Sequence, residues 1–182
     1  MLRYLPASVK KYKEWKWNII GKHDRNQKEI LNQKKQKNFE NSICEFRNNY
    51  DFLSNFYLCQ IEYEGLFYQN AESAFQAQKC IIQEEKLVFC NLPASKAKRM
   101  GRQVTLRTDW EQVKVSIMEE IVRAKFVQNP YLMKKLLDTG ELLLIEGNPW
   151  KDTFWGVDIN SGEGKNHLGE ILMNVREELR KE

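Results

Sequence analysis

QNAESAFQAQK, residues 69–79, combines polar and apolar residues at helical spacing. Glu72, Gln76 and Lys79 are four and three positions apart, so a helix places all three on one face. A second, mostly apolar stripe can pack on a core and consists of Ala71, Phe75, Gln78 and Ile82. Asn70 suits the N-cap. The stretch therefore predicts a helix that presents a carboxylate, an amide and an ammonium together.

The polar face also has an ordinary explanation. A Glu in the first turn of a helix interacts favourably with the helix dipole, and Glu–Gln pairs four residues apart are common on solvated faces. Taken alone, the stretch leaves both interpretations open.

Length and residue usage limit the class of protein. With 182 residues the chain is long enough for one domain with a sizeable core. Its four cysteines are irregularly spaced and its two histidines lie far apart, so we expect no disulfide framework, metal site or cofactor. No hydrophobic signal segment opens the chain and no apolar run has transmembrane length. We expect a cytoplasmic protein outside the membrane.

Basic residues are concentrated at the start of the chain. Residues 1–40 hold 11 Lys or Arg and 4 Asp or Glu, which leaves 18 basic and 21 acidic residues in the remainder. We expect a basic N-terminal extension over residues 1–42 and a folded domain over residues 43–182. The extension is either a solvated segment that packs through its tryptophans or a basic arm that contacts phosphate or another subunit. The oligomeric state is left open.

Turn residues and hydrophobic periodicity predict the neighbouring elements. A short strand is expected over residues 44–49, and a hairpin with strands at 58–63 and 66–68 precedes the helix. If the hairpin packs on the helix, Asn55 and Phe56 lie near the first helical turn. Other expected elements are helices at 96–100, 110–127 and 131–137, a buried strand at 142–145, and a last amphipathic helix with Leu168, Ile171, Leu172, Val175 and Leu179 inside.

Three further segments carry candidate functional residues. A capping box over residues 108–111 opens a helix with Trp110, which is either a core staple or an aromatic platform for a ring. Arg99, Arg102 and Arg107 come within nine positions and suit bidentate binding of phosphate or carboxylate, or they are simply exposed basic residues at a helix end. The aromatic loop of residues 146–156 contains Asp152 and folds against the core or against a stacked base. A Gly-rich turn then precedes the last helix and can bind an anion through backbone amides.

In this order the segments resemble the YbiA-like or NADAR family. The matching motifs cover roughly residues 46–180, and they are Phe52-Leu53-Ser54-Asn55-Phe56, Ala71-Glu72 with Phe75-Gln76-Ala77-Gln78-Lys79, Ala97-Lys98-Arg99-Met100-Gly101-Arg102, Asp109-Trp110-Glu111, Ala124-Lys125-Phe126, Asn129-Pro130, Asp152 with Trp155-Gly156, and Gly164-Lys165-Asn166 with Leu168-Gly169. The chain departs from the family pattern at Ser73 and Ala74, where His and Tyr are often found. It departs again after Gly156, where Val157-Asp158 replaces a small or glycine-rich run.

The resemblance implies a single α+β domain, mostly α-helical with a short β-hairpin or small sheet, that cleaves an N-glycosidic bond. The implied substrates are phosphoribosylated pyrimidine intermediates of riboflavin synthesis, or ADP-ribosylated guanine in a small molecule or in nucleic acid. Such cleavage passes through an oxocarbenium-like transition state, which a nearby carboxylate stabilises while it activates water.

Roles follow from the resemblance for the matched positions. Glu72 is the expected catalytic carboxylate, and Asp152 is a second acid or a positioning group. Trp110 or Trp155 would stack on the base, and the candidates for the phosphate are Arg99, Lys79 and Lys125. The other expected substrate-binding residues are Asn55, Phe56, Gln76, Gly101, Gly156 and Asn166.

The departures at Ser73 and Ala74 motivate a hypothesis from another class, a non-catalytic module that binds ADP-ribose or a nucleotide. Within the enzyme class, the basic extension slightly favours ADP-ribosylated nucleic acid over a small riboflavin-pathway substrate, since its lysines can contact phosphates.

Overall fold

The structure is a computed structural model that describes residues 41–181, so the predicted basic extension lies outside the described residues except for its last two positions. The described residues form two compact units. The strand unit comprises residues 41–46 and Glu141–Glu170. The helical unit comprises Arg47–Gly140 and residues 171–181.

The described residues contain helices and very short strands. In order, the elements are β1 (Ser42–Ile43), a 3₁₀ helix (Asn48–Leu53), β2 (Ile61–Tyr63), β3 (Leu66–Tyr68), α1 (Ala71–Ala77), α2 (Gln83–Leu87), α3 (Ala94–Met100), α4 (Trp110–Val127), α5 (Pro130–Leu137), β4 (Leu143–Leu144), β5 (Gly147–Asn148), β6 (Val157–Asp158) and α6 (His167–Leu179). The predicted mostly helical α+β class is confirmed.

The predicted hairpin and key helix are both present. Strands β2 and β3 pair antiparallel, with Ile61 opposite Tyr68, and the pair packs on α1. Asn70 caps α1 as predicted, because its Oδ1 accepts a hydrogen bond from the Ser73 backbone N–H at 2.8 Å. The chain before the hairpin also reaches the first turn of α1, where the Glu72 N–H donates to the Asn55 carbonyl at 3.0 Å.

All seven residues of α1 are buried, so the interpretation of its polar face as a solvated surface is wrong. Alanines at positions 71, 74 and 77 are 0 % exposed, and their small side chains allow α3 and α4 to pack closely on α1. Glu72 and Gln76 are therefore enclosed on a helix surrounded by other elements.

The long helix α4 forms over the predicted residues, but its predicted capping box does not. Asp109 occupies the N-cap position without a capping hydrogen bond from its side chain. Its carboxylate instead accepts from the Arg107 guanidinium at 2.6 Å and 2.9 Å. The bidentate pair engages both carboxylate oxygens that a capping bond would use. The predicted apolar face of α6 is confirmed, since its five predicted residues are all buried.

The strand unit contains two parallel pairs. In one pair Ser42 of β1 lies opposite Leu143 of β4, and in the other Gly147 of β5 lies opposite Val157 of β6. The predicted strand at residues 44–49 is wrong, because the extended segment ends at Ile43 and the 3₁₀ helix already begins at position 48. The unit has a small apolar core of Ile145, Val157 and Ile159 with Cys44 packed against it.

Within residues 41–181, every helix is too short or too polar to span a bilayer.

Candidate functional site

A buried carboxylate lies at the centre of the helical unit. Glu72 is in the first turn of α1 and only 6 % exposed. Its Oε1 accepts a hydrogen bond from Gln76 Nε2 at 2.9 Å. Because burial removes the water that screens charge, a carboxylate held in this way acts strongly on charge that develops beside it.

The Gln76 side chain has room only because the facing residue, at the C-cap of α3, is glycine. A Cβ placed on Gly101 would lie 1.9 Å from Gln76 Oε1 and 3.0 Å from Gln76 Cβ. The Gly101 carbonyl in turn accepts from Lys79 Nζ at 2.9 Å. Gly101, which the sequence places among the binding residues, thus lets the amide sit between α1 and the end of α3.

We expect Gly101→Ala to lower the free energy of unfolding by about 1 to 3 kcal/mol, as overpacking does. It should also lower turnover, because the added methyl group displaces the Gln76 amide from the Glu72 carboxylate. Thermal unfolding and kcat would be measured together. Gly65→Ala is the control for turnover: its positive φ strains an alanine and lowers stability, but no atom lies within 4 Å of the added Cβ, so kcat should be unchanged. A folded Gly101→Ala protein with unchanged kcat would contradict this role.

Three cations gather near the carboxylate. Burial lowers the pKa of the half-buried Lys79 ammonium; Glu72 opposes that change, and Arg102 and Lys98 reinforce it. Lys98 lies in the last turn of α3 and Arg102 just after its C-cap Gly101, and both act on Lys79. Clustered cations of this kind suit an anion.

The sequence assigns the phosphate to Arg99, Lys79 and Lys125 and overlooks Lys98. The structure places Arg99 on the exposed surface of α3, and its role stays a prediction. Lys98 Nζ lies 5.7 Å from the centre of the Phe56 ring, which is itself 45 % exposed. Arg102 was already marked by the close spacing of the three arginines, and the basic run Lys96-Ala97-Lys98-Arg99 was the signal for Lys98.

Lys125 has a structural contact that accounts for its burial. It is 1 % exposed, and its Nζ donates to the Ser54 carbonyl at 2.8 Å. This bond anchors the loop that carries Asn55. The contact of Lys125 with phosphate stays a prediction. The observed bond supports an additional role of Lys125 in positioning the loop.

Asn55 lies at the first turn of α1 as expected, where its carbonyl accepts from the Glu72 N–H. Its side chain is 7 % exposed, and Nδ2 donates to the Met118 sulfur at 3.2 Å. No sequence signal marks Met118 as part of the site, because a methionine inside an amphipathic helix is typical of a core position.

The contacts of Trp110 favour its interpretation as a core staple. The side chain is 6 % exposed, and its ring centre lies 5.0 Å from that of Phe75. A base needs a free ring face on which to stack, and this ring has almost none. The ring therefore packs between α1 and α4, and the stacking role of Trp110 stays a prediction.

In the strand unit, Asp152 shapes its own loop. Its Oδ1 accepts from the backbone N–H groups of Phe154 at 3.1 Å and Trp155 at 2.9 Å. The half-buried Trp155 ring meets Phe154 edge-on, with ring centres 5.0 Å apart. These contacts favour the positioning interpretation of Asp152, while the roles of Asp152 as an acid and of Trp155 as a base platform stay predictions.

Gly156 and Asn166 are held by the backbone of the same unit. A Cβ on Gly156 would lie 2.1 Å from the Glu146 carbonyl oxygen. The Asn166 amide accepts from the Glu146 N–H at 3.0 Å and donates to the Leu144 carbonyl at 2.9 Å. Both ends of this amide secure the chain after β4, which explains Asn166 without a ligand, and the predicted contacts of Gly156 and Asn166 with substrate stay predictions.

A surface cavity of about 350 Å³ lies along the hairpin, away from these residues. It is lined by Leu58, Cys59, Gln60, Phe67, Tyr68, Gln69, Cys90 and Asn91. Burial raises the pKa values of Cys59 and Cys90, so the two thiols are poor nucleophiles. Because none of the candidate catalytic residues lines this cavity, we place the candidate site at Glu72 rather than here.

Among residues 41–181, no group of His, Cys, Asp and Glu has the arrangement of a metal site.

The helical unit combines a buried carboxylate, two amides and a cation cluster, an arrangement typical of proteins that bind anionic polar ligands. Residues 34–180 match the NADAR domain, and the chain belongs to the NADAR domain family.

Relatives with curated names cover most of the same region. The chain is 38 % identical over 136 residues to the N-glycosidase YbiA of Escherichia coli, covering 72 % of this chain and 83 % of YbiA. It is 38 % identical over 137 residues to an N-glycosidase of Nostoc punctiforme, covering 72 % of this chain and 86 % of that protein. A riboflavin biosynthesis protein of Vibrio vulnificus is 44 % identical over 135 residues, 72 % of this chain. The match spans only 36 % of that longer protein.

The fold agrees with these sequence relationships. The NMR structure of the Escherichia coli protein YbiA matches with a TM-score of 0.69 and 35 % identity, over 78 % of this chain and 86 % of that chain. The predicted YbiA-like fold is therefore confirmed.

Proposed function

We propose that this chain is an N-glycosidase that hydrolyses the C–N bond between a ribosyl group and a planar base. The observation that carries the proposal is the Glu72 carboxylate, 6 % exposed and held by the Gln76 amide. Membership of a family whose relatives are named N-glycosidases supports it.

In the proposed reaction the carboxylate acts on the sugar. As the C–N bond breaks, positive charge develops on the ribosyl ring, and the Glu72 carboxylate stabilises it. The same carboxylate accepts a proton from the attacking water and passes it to the base, which leaves with the bonding electron pair. Lys79, Lys98 and Arg102 hold the phosphate of the substrate.

The surroundings of Ser73 and Ala74 favour the enzyme over the non-catalytic binding module. Both residues are 0 % exposed. The Ser73 hydroxyl donates to the Leu92 carbonyl at 2.8 Å, so it ties α1 to the segment before α3. Because Ser73 and Ala74 are packing residues, the replacement of His and Tyr at these positions gives no reason to expect a loss of turnover.

We propose a phosphoribosyl or ADP-ribosyl substrate, since both combine a ribose, an anionic phosphate and a base. The name of the Vibrio relative supports a phosphoribosylated pyrimidine of riboflavin synthesis. ADP-ribosylated guanine is the second candidate substrate, supported by the basic residues at positions 1–40.

Mass-spectrometric product analysis tests the function directly. The full chain is incubated in parallel with a phosphoribosylaminopyrimidine and with an oligonucleotide that carries ADP-ribosylated guanine. We expect release of the free base from one of them. Tight calorimetric binding of ADP-ribose with no product after long incubation would instead establish the binding module.

A further inference from the structure

Two buried amide oxygens beside Glu72 receive no hydrogen bond from the described part of the chain. They are Asn55 Oδ1 and Gln76 Oε1, on side chains that are 7 % and 6 % exposed. Buried polar atoms in folded proteins nearly always have a partner. A donor from outside residues 41–181 is therefore expected at each oxygen, and besides water a bound ligand is the donor that an enclosed site can select.

Hydrogen bonds fix which end of each amide is available. Gln76 Nε2 is directed to the Glu72 carboxylate at 2.9 Å, where the amide oxygen would be repelled, so Oε1 is the end left for a ligand. Asn55 Nδ2 is engaged by the Met118 sulfur at 3.2 Å, which leaves Oδ1. The site thus has two free hydrogen-bond acceptors, which pair with two donors on the ligand.

Both acceptors are tied to the catalytic carboxylate. Gln76 contacts the Glu72 side chain, and the Asn55 carbonyl accepts from the Glu72 backbone N–H at 3.0 Å. In the proposed function this carboxylate faces the anomeric carbon, and the neighbouring donors on a ribosyl ring are its two adjacent hydroxyl groups. Hydrogen bonds to the 2-hydroxyl of a sugar strengthen as its ring becomes oxocarbenium-like.

We propose that Asn55 Oδ1 and Gln76 Oε1 accept hydrogen bonds from the ribosyl hydroxyl groups and make the site selective for ribosyl over 2-deoxyribosyl ligands. This inference rests on the proposed function for the placement of the sugar. A 2-deoxyribosyl ligand leaves one buried oxygen without a donor, a loss that lowers affinity about 10- to 100-fold.

The test is calorimetric titration of the full chain with ribose 5-phosphate and with 2-deoxyribose 5-phosphate. We expect the ribose compound to bind about 10- to 100-fold more tightly. The ratio of the two affinities should fall towards one in Asn55→Leu, in Gln76→Met, or in both. Gln83→Met on the exposed start of α2 is the matched control and should keep the full ratio.

Each other outcome overturns the proposal. Equal affinity for both sugars in the unaltered protein, or no binding of either, would mean that these oxygens do not recognise sugar hydroxyls. A ratio that persists in both variants, with affinity lowered equally for both ligands, would show that the two amides act only on the structure.

The titration needs no turnover, so it separates this inference from the proposed function. Selective binding without base release in the product analysis would retain the inference and remove the N-glycosidase activity. Base release without selective binding would do the opposite.

Discussion

Replacing Glu72 with glutamine should lower kcat for base release by about 10² to 10³-fold, the usual loss when one electrostatic partner of a transition state is removed. The amide keeps the size of the side chain and an oxygen that can accept from Gln76 Nε2, so the fold should persist. Single-turnover rates with the substrate found in the product analysis would give the effect on the chemical step.

Glu84→Gln is the matched control for this variant. Glu84 also lies in the first turn of a short helix, but its side chain is exposed, so both stability and turnover should be unchanged. Full activity of a folded Glu72→Gln protein would remove Glu72 from the mechanism, and with it the main support for the proposed function.

Trp110→Ala should lower the free energy of unfolding by about 3 to 5 kcal/mol, the usual cost of truncating a buried aromatic side chain. The cavity would open between α1 and α4, where the ring now packs on Phe75. Chemical denaturation, with the slope and midpoint both fitted, measures this loss.

Two further variants separate packing from ligand binding at this position. Trp150→Ala is the control for loss of an indole ring, because Trp150 is 55 % exposed, and it should change stability by less than about 1 kcal/mol. Trp110→Phe keeps a ring against Phe75 and should retain the KM of the unaltered protein. A stable Trp110→Phe protein with a KM raised tenfold or more would restore the aromatic-platform interpretation.

The sequence was sufficient to predict α1 and the hairpin before it, since their signals are local. Asn70, the helical spacing after it and the turn at Glu64-Gly65 each specify the conformation of their own segment. The resemblance to the family then assigned Asn55, Glu72, Gln76 and Gly101 to one site. The structure does place these four residues near one another.

Burial and long-range side-chain contacts could not be predicted in the same way. Helical periodicity shows that Glu72 and Gln76 share a face, but not that α3 and α4 enclose that face. The bond of Asn55 to Met118 joins residues 63 positions apart, and no local pattern encodes it. The two-residue strands β5 and β6 are too short to show an alternation of apolar and polar residues.

The parallel pairing of β1 with β4 has a consequence for how this protein is made. Ser42 leaves the ribosome long before its partner Leu143. Strand β1 therefore remains unpaired while about a hundred further residues are synthesised. Arg47–Gly140, by contrast, contains both strands of its hairpin and most of the helices around α1. We therefore expect the segment around Glu72 to begin folding during translation, and the strand unit to close only once the end of the chain is emerging.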